Sequence, residues 1–243
     1  MSIKRIEKVR AQQLRETIEY KETKIVLHNL MTNLSTLEKY NGILPTPYES
    51  YEQNCLNLYD KWEQSLKISS VLRDLKNEVS YPSERHKAMS QMLSFMGLVE
   101  SLGVTLTDII LILMIANGTA IHVRKDGIIK HASTFQDLEK IDNETRKRTL
   151  LDGKINKKIV SNILNFDVRN IAAHLGFKIE NDGKIITNGG GVIEINDTIN
   201  KFWDSVDTVT LILQDIDFLS WLEFRKIGEL NLIIFLSRNI ARC

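Results

Sequence analysis

The stretch Ile109-Ile110-Leu111-Ile112-Leu113-Met114-Ile115-Ala116 is the most apolar run of the chain. It is too short to cross a bilayer, because a spanning helix needs about 20 mostly apolar residues. An uncharged run that is apolar on every side is typical of a helix buried in the core of a globular protein. We therefore predict a core helix here and a mainly α-helical fold around it.

Long helices are predicted on the N-terminal side of this run. Apolar residues recur with helical spacing over residues 2–40 and 49–79, and only three prolines occur, at positions 45, 47 and 82. Ser83 is expected to cap a third helix that leads toward the apolar run, with an interruption at Gly103.

Two β-hairpins are predicted on the C-terminal side. Asp126-Gly127 and Asp182-Gly183 each have the composition of a two-residue hairpin turn between alternating residues. The first turn would pair Lys125 with Ile128 and His122 with His131. A third strand is expected near 192–195 beside the second hairpin, and a last apolar helix after residue 218.

The length of 243 residues fits one large domain or two small ones. We divide the chain into an N-terminal long-helix region, residues 1–80, and a helical domain, residues 81–243. The second part carries the hairpins near 119–131 and 178–195. The pattern is equally compatible with one continuous domain, and the role of the first 80 residues as interface, arm or part of the bundle stays open.

Composition excludes a protein that wraps nucleic acid over its whole surface. Hydrophobic residues make up 43% and charged residues 26% of the chain, which are ordinary values for a packed globular protein. The 32 basic and 31 acidic residues leave a net charge of +1. Any contact with RNA must therefore come from a local basic patch, or from two such patches that dimerisation brings together.

The two cysteines, Cys55 and Cys243, form neither a disulfide framework nor a zinc-ligand pattern. A reducing cytoplasm is the simplest location for such a chain. The N-terminus, Met1-Ser2-Ile3-Lys4-Arg5, leads into a charged stretch rather than the apolar core of a signal peptide. We predict a cytoplasmic protein with no membrane contact, no metal and no cofactor.

The hexapeptide Arg169-Asn170-Ile171-Ala172-Ala173-His174 carries the candidate catalytic residues. We predict a short helix, capped by Asp167 and stopped at Gly176, with Asn170 and His174 on one face. RNA cleavage by the 2′-hydroxyl needs a group that moves protons and a group that stabilises the charge of the phosphorane. Histidine suits the first role, arginine suits the second, and asparagine can orient the histidine or the phosphate.

Together with Leu175-Gly176-Phe177, the hexapeptide resembles the Arg-polar-x3-His signature of the HEPN superfamily. The continuation is most similar to defence-type members, such as the accessory ribonucleases of type III CRISPR systems. The resemblance is specific over about ten residues and only architectural elsewhere. It implies a HEPN-like helical bundle and catalytic roles for Arg169, Asn170 and His174.

The resemblance also implies a homodimer in which two motifs face each other in one cleft. The implied activity is cleavage of single-stranded RNA that leaves a 2′,3′-cyclic phosphate, in defence or as a toxin. One departure is that no βαβ nucleotide-sensing domain is recognisable, which argues against activation by cyclic oligonucleotides. We therefore expect either a stand-alone enzyme or one that is controlled by an antitoxin or a defence-complex partner.

The alternative function is a non-catalytic HEPN-like interaction or dimerisation module that binds a partner or a nucleotide. A separate, purely structural interpretation of the hexapeptide is a helix whose arginine pairs with an acid and whose histidine packs against its neighbours.

A basic cluster shortly before the motif is predicted to bind RNA by holding the phosphates that flank the scissile one. A solvated helix face is the competing interpretation. The cluster consists of Arg146, Lys147, Arg148, Lys157 and Lys158.

The first hairpin has two further interpretations. His122 and His131 could form half of a metal site or a pH-sensitive pair, although a solvated pair is the simpler expectation. The hairpin could instead flank the cleft and contribute RNA contacts through Arg124.

Overall fold

A computed structural model describes residues 8–41, 57, 60–71, 80–119, 121–125, 128–131, 138 and 140–218. Within these residues the chain is mainly helical with small antiparallel sheets, which confirms the predicted fold class. The turn at 126–127, much of the predicted helix over 49–79, both cysteines and the helix expected after residue 218 lie outside the described residues.

The first helices are α1 (Lys8–Glu16), α2 (Ile18–Asn41), α3 (60–71), α4 (Glu84–Leu98) and α5 (Val104–Ala116). The later helices are α6 (Asn143–Asp152), α7 (Lys157–Ile163), α8 (Phe166–Ala173) and α9 (Ile195–Asp215). The strands are β1 (His122–Lys125), β2 (Ile128–His131), β3 (Phe177–Ile179), β4 (Ile185–Thr187) and β5 (Val192–Ile193).

The predicted core helix is confirmed as α5. Leu106, Ile110 and Leu113 are at most 1% exposed, and α5 packs against α2 and α6. The continuous helix Glu84–Ile115 has the length and apolar content of a membrane span, with a mean hydropathy of 2.1 over its most apolar window. However, 78% of that window is buried inside the protein, as in the core helix of a soluble domain.

The predicted interruption at Gly103 is wrong, because the helix continues through it. A π-helical turn, Val99–Gly103, joins α4 to α5. A methyl group on Gly103 would lie 2.7 Å from the carbonyl oxygen of Ile163, so the glycine allows the end of α7 to approach the turn. A π-helical turn widens the helix locally and changes the direction of the side chains that follow it.

The N-terminal helices pack onto the C-terminal half of the described chain. The helix predicted over 2–40 is broken at Thr17, whose hydroxyl accepts a hydrogen bond from the Tyr20 N–H and so caps α2. α2 contacts α5 and α9, and α1 contacts α9. The described part of the first 80 residues therefore forms part of the helical bundle.

The first hairpin has the predicted register, whereas the second is shifted by one residue from the register that a two-residue Asp182-Gly183 turn predicts. β1 pairs with β2 so that His122 lies opposite His131, and β3, β4 and β5 form one antiparallel sheet in that order. The second turn is not the predicted two-residue turn. Its loop has three residues, 181–183, because the Glu180 N–H donates to the carbonyl of Lys184, and Gly183 has a φ of 86°.

Candidate functional site

The motif helix α8 begins and ends differently from the prediction. Its N-cap is Asn165, whose side chain accepts from the Val168 N–H over 3.3 Å, while the predicted cap Asp167 lies inside the first turn. Asp167 is therefore not the cap. Asn165 is better placed because its backbone lies outside the helix and its amide oxygen can turn back toward the free N–H groups.

The C-terminus of α8 is closed just past the histidine of the motif. The Gly176 N–H donates to the carbonyl of Ile171 over 2.9 Å, and the Leu175 N–H donates to the carbonyl of Ala172 over 3.3 Å. The left-handed residue of this cap is Leu175, with a φ of 51°, and not the predicted Gly176. This closure leaves His174 at the helix end, where its side chain projects into solvent.

The three motif side chains lie at the surface of α8. Asn170 and His174 are both exposed, and they lie one helical turn apart because the His174 N–H donates to the carbonyl of Asn170 over 3.0 Å. The predicted shared face is therefore present. Arg169 is 25% exposed, and its Nη1 donates to Oδ1 of Asn170 over 2.8 Å.

The structure thus brings Arg169 and Asn170 together, whereas His174 remains apart from them. The side-chain oxygen of Asn170 orients the guanidinium and not the imidazole. Within the described part of the chain, no hydrogen bond is made by the His174 side chain. The exposed imidazole is therefore accessible to a bound molecule.

Glu100 is a site residue that sequence reasoning missed. Its carboxylate forms an ion pair with Nε of Arg169, across the contact between α4 and α8. Glu100 lies in the π-helical turn, and turns of this type often occur at functional sites. The available signal was that Glu100 is the only acidic residue between Glu84 and Asp108, and that it is the only charged residue between Lys87 and Asp108.

The predicted RNA contact of Arg146 is wrong for the folded chain. Arg146 is 3% exposed, and its Nη2 lies 2.7 Å from Oδ1 of the equally buried Asp108. The guanidinium also donates to the carbonyls of Leu138 and Ile141 over 3.2 Å. Because the side chain is buried and its donors are used internally, it cannot reach a phosphate at the surface.

The other members of the predicted basic cluster lie at the surface. Arg148, Lys157 and Lys158 are exposed and Lys147 is half-buried. Lys158 already pairs with Glu19 at 2.7 Å, a contact that raises the pKa of Lys158 and lowers the pKa of Glu19. An RNA phosphate at Lys158 would therefore compete with an existing ion pair.

One groove formed by described residues lies away from the motif. It has a volume of about 350 Å³ and separates the start of α4 from the three-stranded sheet and the start of α9. Glu84, Gln91, Lys184 and Asn196 line it, and none of the predicted site residues does. The site formed by Arg169, Asn170, His174 and Glu100 is instead an open surface.

Within the described residues, no group of three or more His, Cys, Asp or Glu side chains is arranged to hold a metal ion. The backbone register places His122 opposite His131, but their side chains lie outside the described part of the structure.

Comparison with known proteins found no relative of this chain. No protein-family model, curated protein or solved structure matches the chain.

Proposed function

We propose that the chain is a metal-independent endoribonuclease of the HEPN type that cleaves single-stranded RNA. The observation that carries the proposal is the surface of α8, where Arg169 and Asn170 are hydrogen-bonded and an exposed His174 follows one turn later. In this assignment Arg169 stabilises the charge of the phosphorane, His174 transfers protons and Asn170 orients the guanidinium.

The openness of this surface supports a site made by two copies of the chain. Among the residues that the structure describes, a single copy offers an exposed helix face with Asn170 and His174 at its surface. A second α8 across a two-fold axis would supply a second histidine and a second arginine, and would form a cleft between them. The proposed enzyme is therefore a homodimer, with Lys147, Arg148, Lys157 and Lys158 as candidate contacts for flanking phosphates.

The proposed setting is the cytoplasm, in defence or as a toxin controlled by an antitoxin or a defence-complex partner. The presence of only two cysteines, which favours a reducing compartment, and the resemblance of the motif support this setting.

The decisive assay uses labelled single-stranded RNA with the purified full chain in EDTA. We expect cleavage products with 2′,3′-cyclic phosphate ends, and no cleavage of the same strand made of DNA, which lacks the attacking hydroxyl. His174→Ala is expected to lower the rate by about 100-fold or more, since general acid–base catalysis contributes on that scale. His28→Ala, an exposed histidine on α2, is the matched control and should retain full activity.

Two results would contradict the proposal. One is the absence of cleavage over a varied set of RNAs, with candidate activators included. The other is cleavage that survives in His174→Ala, which would assign the activity to another group or to a contaminant. A monomer in light scattering at micromolar concentration would contradict the composite cleft.

A non-catalytic interaction module is the second candidate, and one observation favours it. The guanidinium of Arg169 contacts Glu100 and Asn170 of its own chain, as expected for an arginine with a structural role. The same assay distinguishes the two candidates, because a module of this kind would cleave none of the RNAs.

A further inference from the structure

The guanidinium of Arg169 is engaged on two of its three nitrogens. Its buried Nε forms an ion pair with the carboxylate of Glu100 but makes no hydrogen bond, and its Nη1 donates to Oδ1 of Asn170 over 2.8 Å. A guanidinium grips a phosphate with two neighbouring donors, through either the Nε/Nη2 edge or the Nη1/Nη2 edge. Each edge therefore has one donor that is already engaged within the chain.

The partner on the Nε edge carries a full negative charge. Glu100 thus occupies the position and supplies the charge that a phosphate would bring to this edge. The Asn170 amide on the other edge is neutral, so it competes less strongly with an anion. The Glu100 carboxylate is consequently the main obstacle to two-pronged phosphate binding at Arg169.

The carboxylate of Glu100 can move away from Arg169 at little cost. Its side chain is 42% exposed, so the carboxylate can turn into water without becoming a buried unpaired charge. Ion pairs at this level of exposure are weak and are screened by salt. A phosphate held by two parallel hydrogen bonds forms a stronger contact than a single exposed carboxylate does.

We propose that Glu100 is an acidic gate on the phosphate-binding arginine, which holds Nε of Arg169 until an RNA phosphate displaces it. This inference rests on the proposed ribonuclease function, since it takes Arg169 to be a phosphate ligand. The gate lowers the affinity of the protein for RNA and favours strands whose other contacts hold the phosphate at α8 long enough for the exchange.

The test measures binding of a single-stranded 2′-O-methyl RNA, which cannot be cleaved because its 2′-oxygens carry no proton. Glu100→Gln keeps the shape of the side chain and removes its charge. We expect about fivefold tighter binding than in the wild-type chain, the scale set by loss of one exposed ion pair. In a chain that already carries Arg169→Ala, Glu100→Gln should leave the affinity for this RNA unchanged.

The matched control is Glu84→Gln. Glu84 is an exposed carboxylate on the same helix, 62% exposed and paired with Lys87, so its substitution changes the net charge by the same amount. We expect wild-type binding from this variant. An equal gain in Glu84→Gln would overturn the gate, because the effect would then follow net charge alone. Unchanged or weaker binding in Glu100→Gln, with the fold verified by thermal melting, would also overturn it.

Cleavage kinetics separate failure of the gate from failure of the proposed function. A wild-type chain that cleaves RNA in EDTA, with Glu100→Gln showing a lower kcat and an unchanged KM, would make Glu100 a positioning residue and the gate wrong. Tighter RNA binding by Glu100→Gln, with no cleavage by any variant, would support the role of Glu100 as a gate and contradict the ribonuclease proposal. No binding of the RNA by any variant, including Glu100→Gln, would overturn both.

Discussion

At the scale of single residues, Arg146 and Arg148 show how strongly burial decides the role of a charge. The two lie in the same basic run of α6, but Arg146 is 3% exposed and paired with Asp108, whereas Arg148 faces solvent. A buried ion pair contributes little net stability compared with an apolar pair, but removal of one partner leaves an uncompensated charge in the core.

We therefore expect Arg146→Ala to destabilise the fold by about 3–5 kcal/mol, since it leaves the Asp108 carboxylate buried without its counter-charge. Arg148→Ala should change the free energy of unfolding by no more than about 0.5 kcal/mol. Urea denaturation of both variants measures the difference. Similar stabilities for the two would contradict the buried ion pair.

At the scale of elements, the junction of α4 and α5 both builds the core and places Glu100. The π-helical turn Val99–Gly103 keeps the long helix continuous while the chain approaches α7. Gly103 allows this approach, because a β-carbon there would meet the Ile163 carbonyl oxygen at 2.7 Å, and backbone atoms cannot move aside as a flexible side chain can.

Gly103→Ala is expected to destabilise the fold by about 1–2 kcal/mol. The overlap with the backbone of α7 costs about 1–3 kcal/mol, and the higher helix propensity of alanine returns at most about 1 kcal/mol. Gly97→Ala is the matched control, because a methyl group there would have no atom within 4 Å. It should stabilise the fold by up to about 1 kcal/mol. A stabilised Gly103→Ala in thermal or urea unfolding would contradict the close approach.

At the scale of the whole molecule, charged contacts attach the N-terminal helices to α9. Asp215 accepts two hydrogen bonds from Arg15, each over 2.7 Å, and one from the hydroxyl of Tyr20. Arg10 pairs with both Asp204 and Asp207 at 2.8 Å. Ala11 is the buried residue of α1, and these ion pairs add contacts between α1 and α9.

The attachment of α1 is expected to weaken in acid. The hydrogen bonds from Arg15, aided by that from Tyr20, hold the pKa of Asp215 below its ordinary value despite partial burial. A carboxyl group with a lowered pKa in the folded state contributes stability that is complete above its unfolded pKa of about 4, and this stability is lost as the pH falls through the folded value.

Wild-type stability should therefore fall more steeply from pH 5 toward about pH 2 than that of Asp215→Asn, which lacks the titrating group. Hydrogen exchange in α1 should rise over the same range. Asp152→Asn, at an exposed position near the end of α6, is the control and should retain the steeper wild-type profile. Parallel profiles for wild type and Asp215→Asn would contradict this account.

Local pattern was sufficient to predict much of the fold and part of the site. The apolar run at 109–116 indicated a buried helix, Ser83 indicated a helix start, and the Asp126-Gly127 turn predicted the pairing of β1 with β2. The Asp182-Gly183 turn predicted the second hairpin but not its three-residue loop. The shared face of Asn170 and His174 followed from a spacing of four. These features depend on residues that are close in sequence, so periodicity, capping and turn chemistry are enough to predict them.

The sequence by itself determined that a polar Arg-Asn-x3-His motif lies on a helix at the edge of a mainly helical protein. Only the tertiary structure decided which charges remain available there. It buried Arg146 against Asp108, 38 residues away, and it brought Glu100 to Arg169 from another helix. Such pairs depend on the packing of distant elements, and an arginine of a basic run has the same local sequence whether it is buried or solvated.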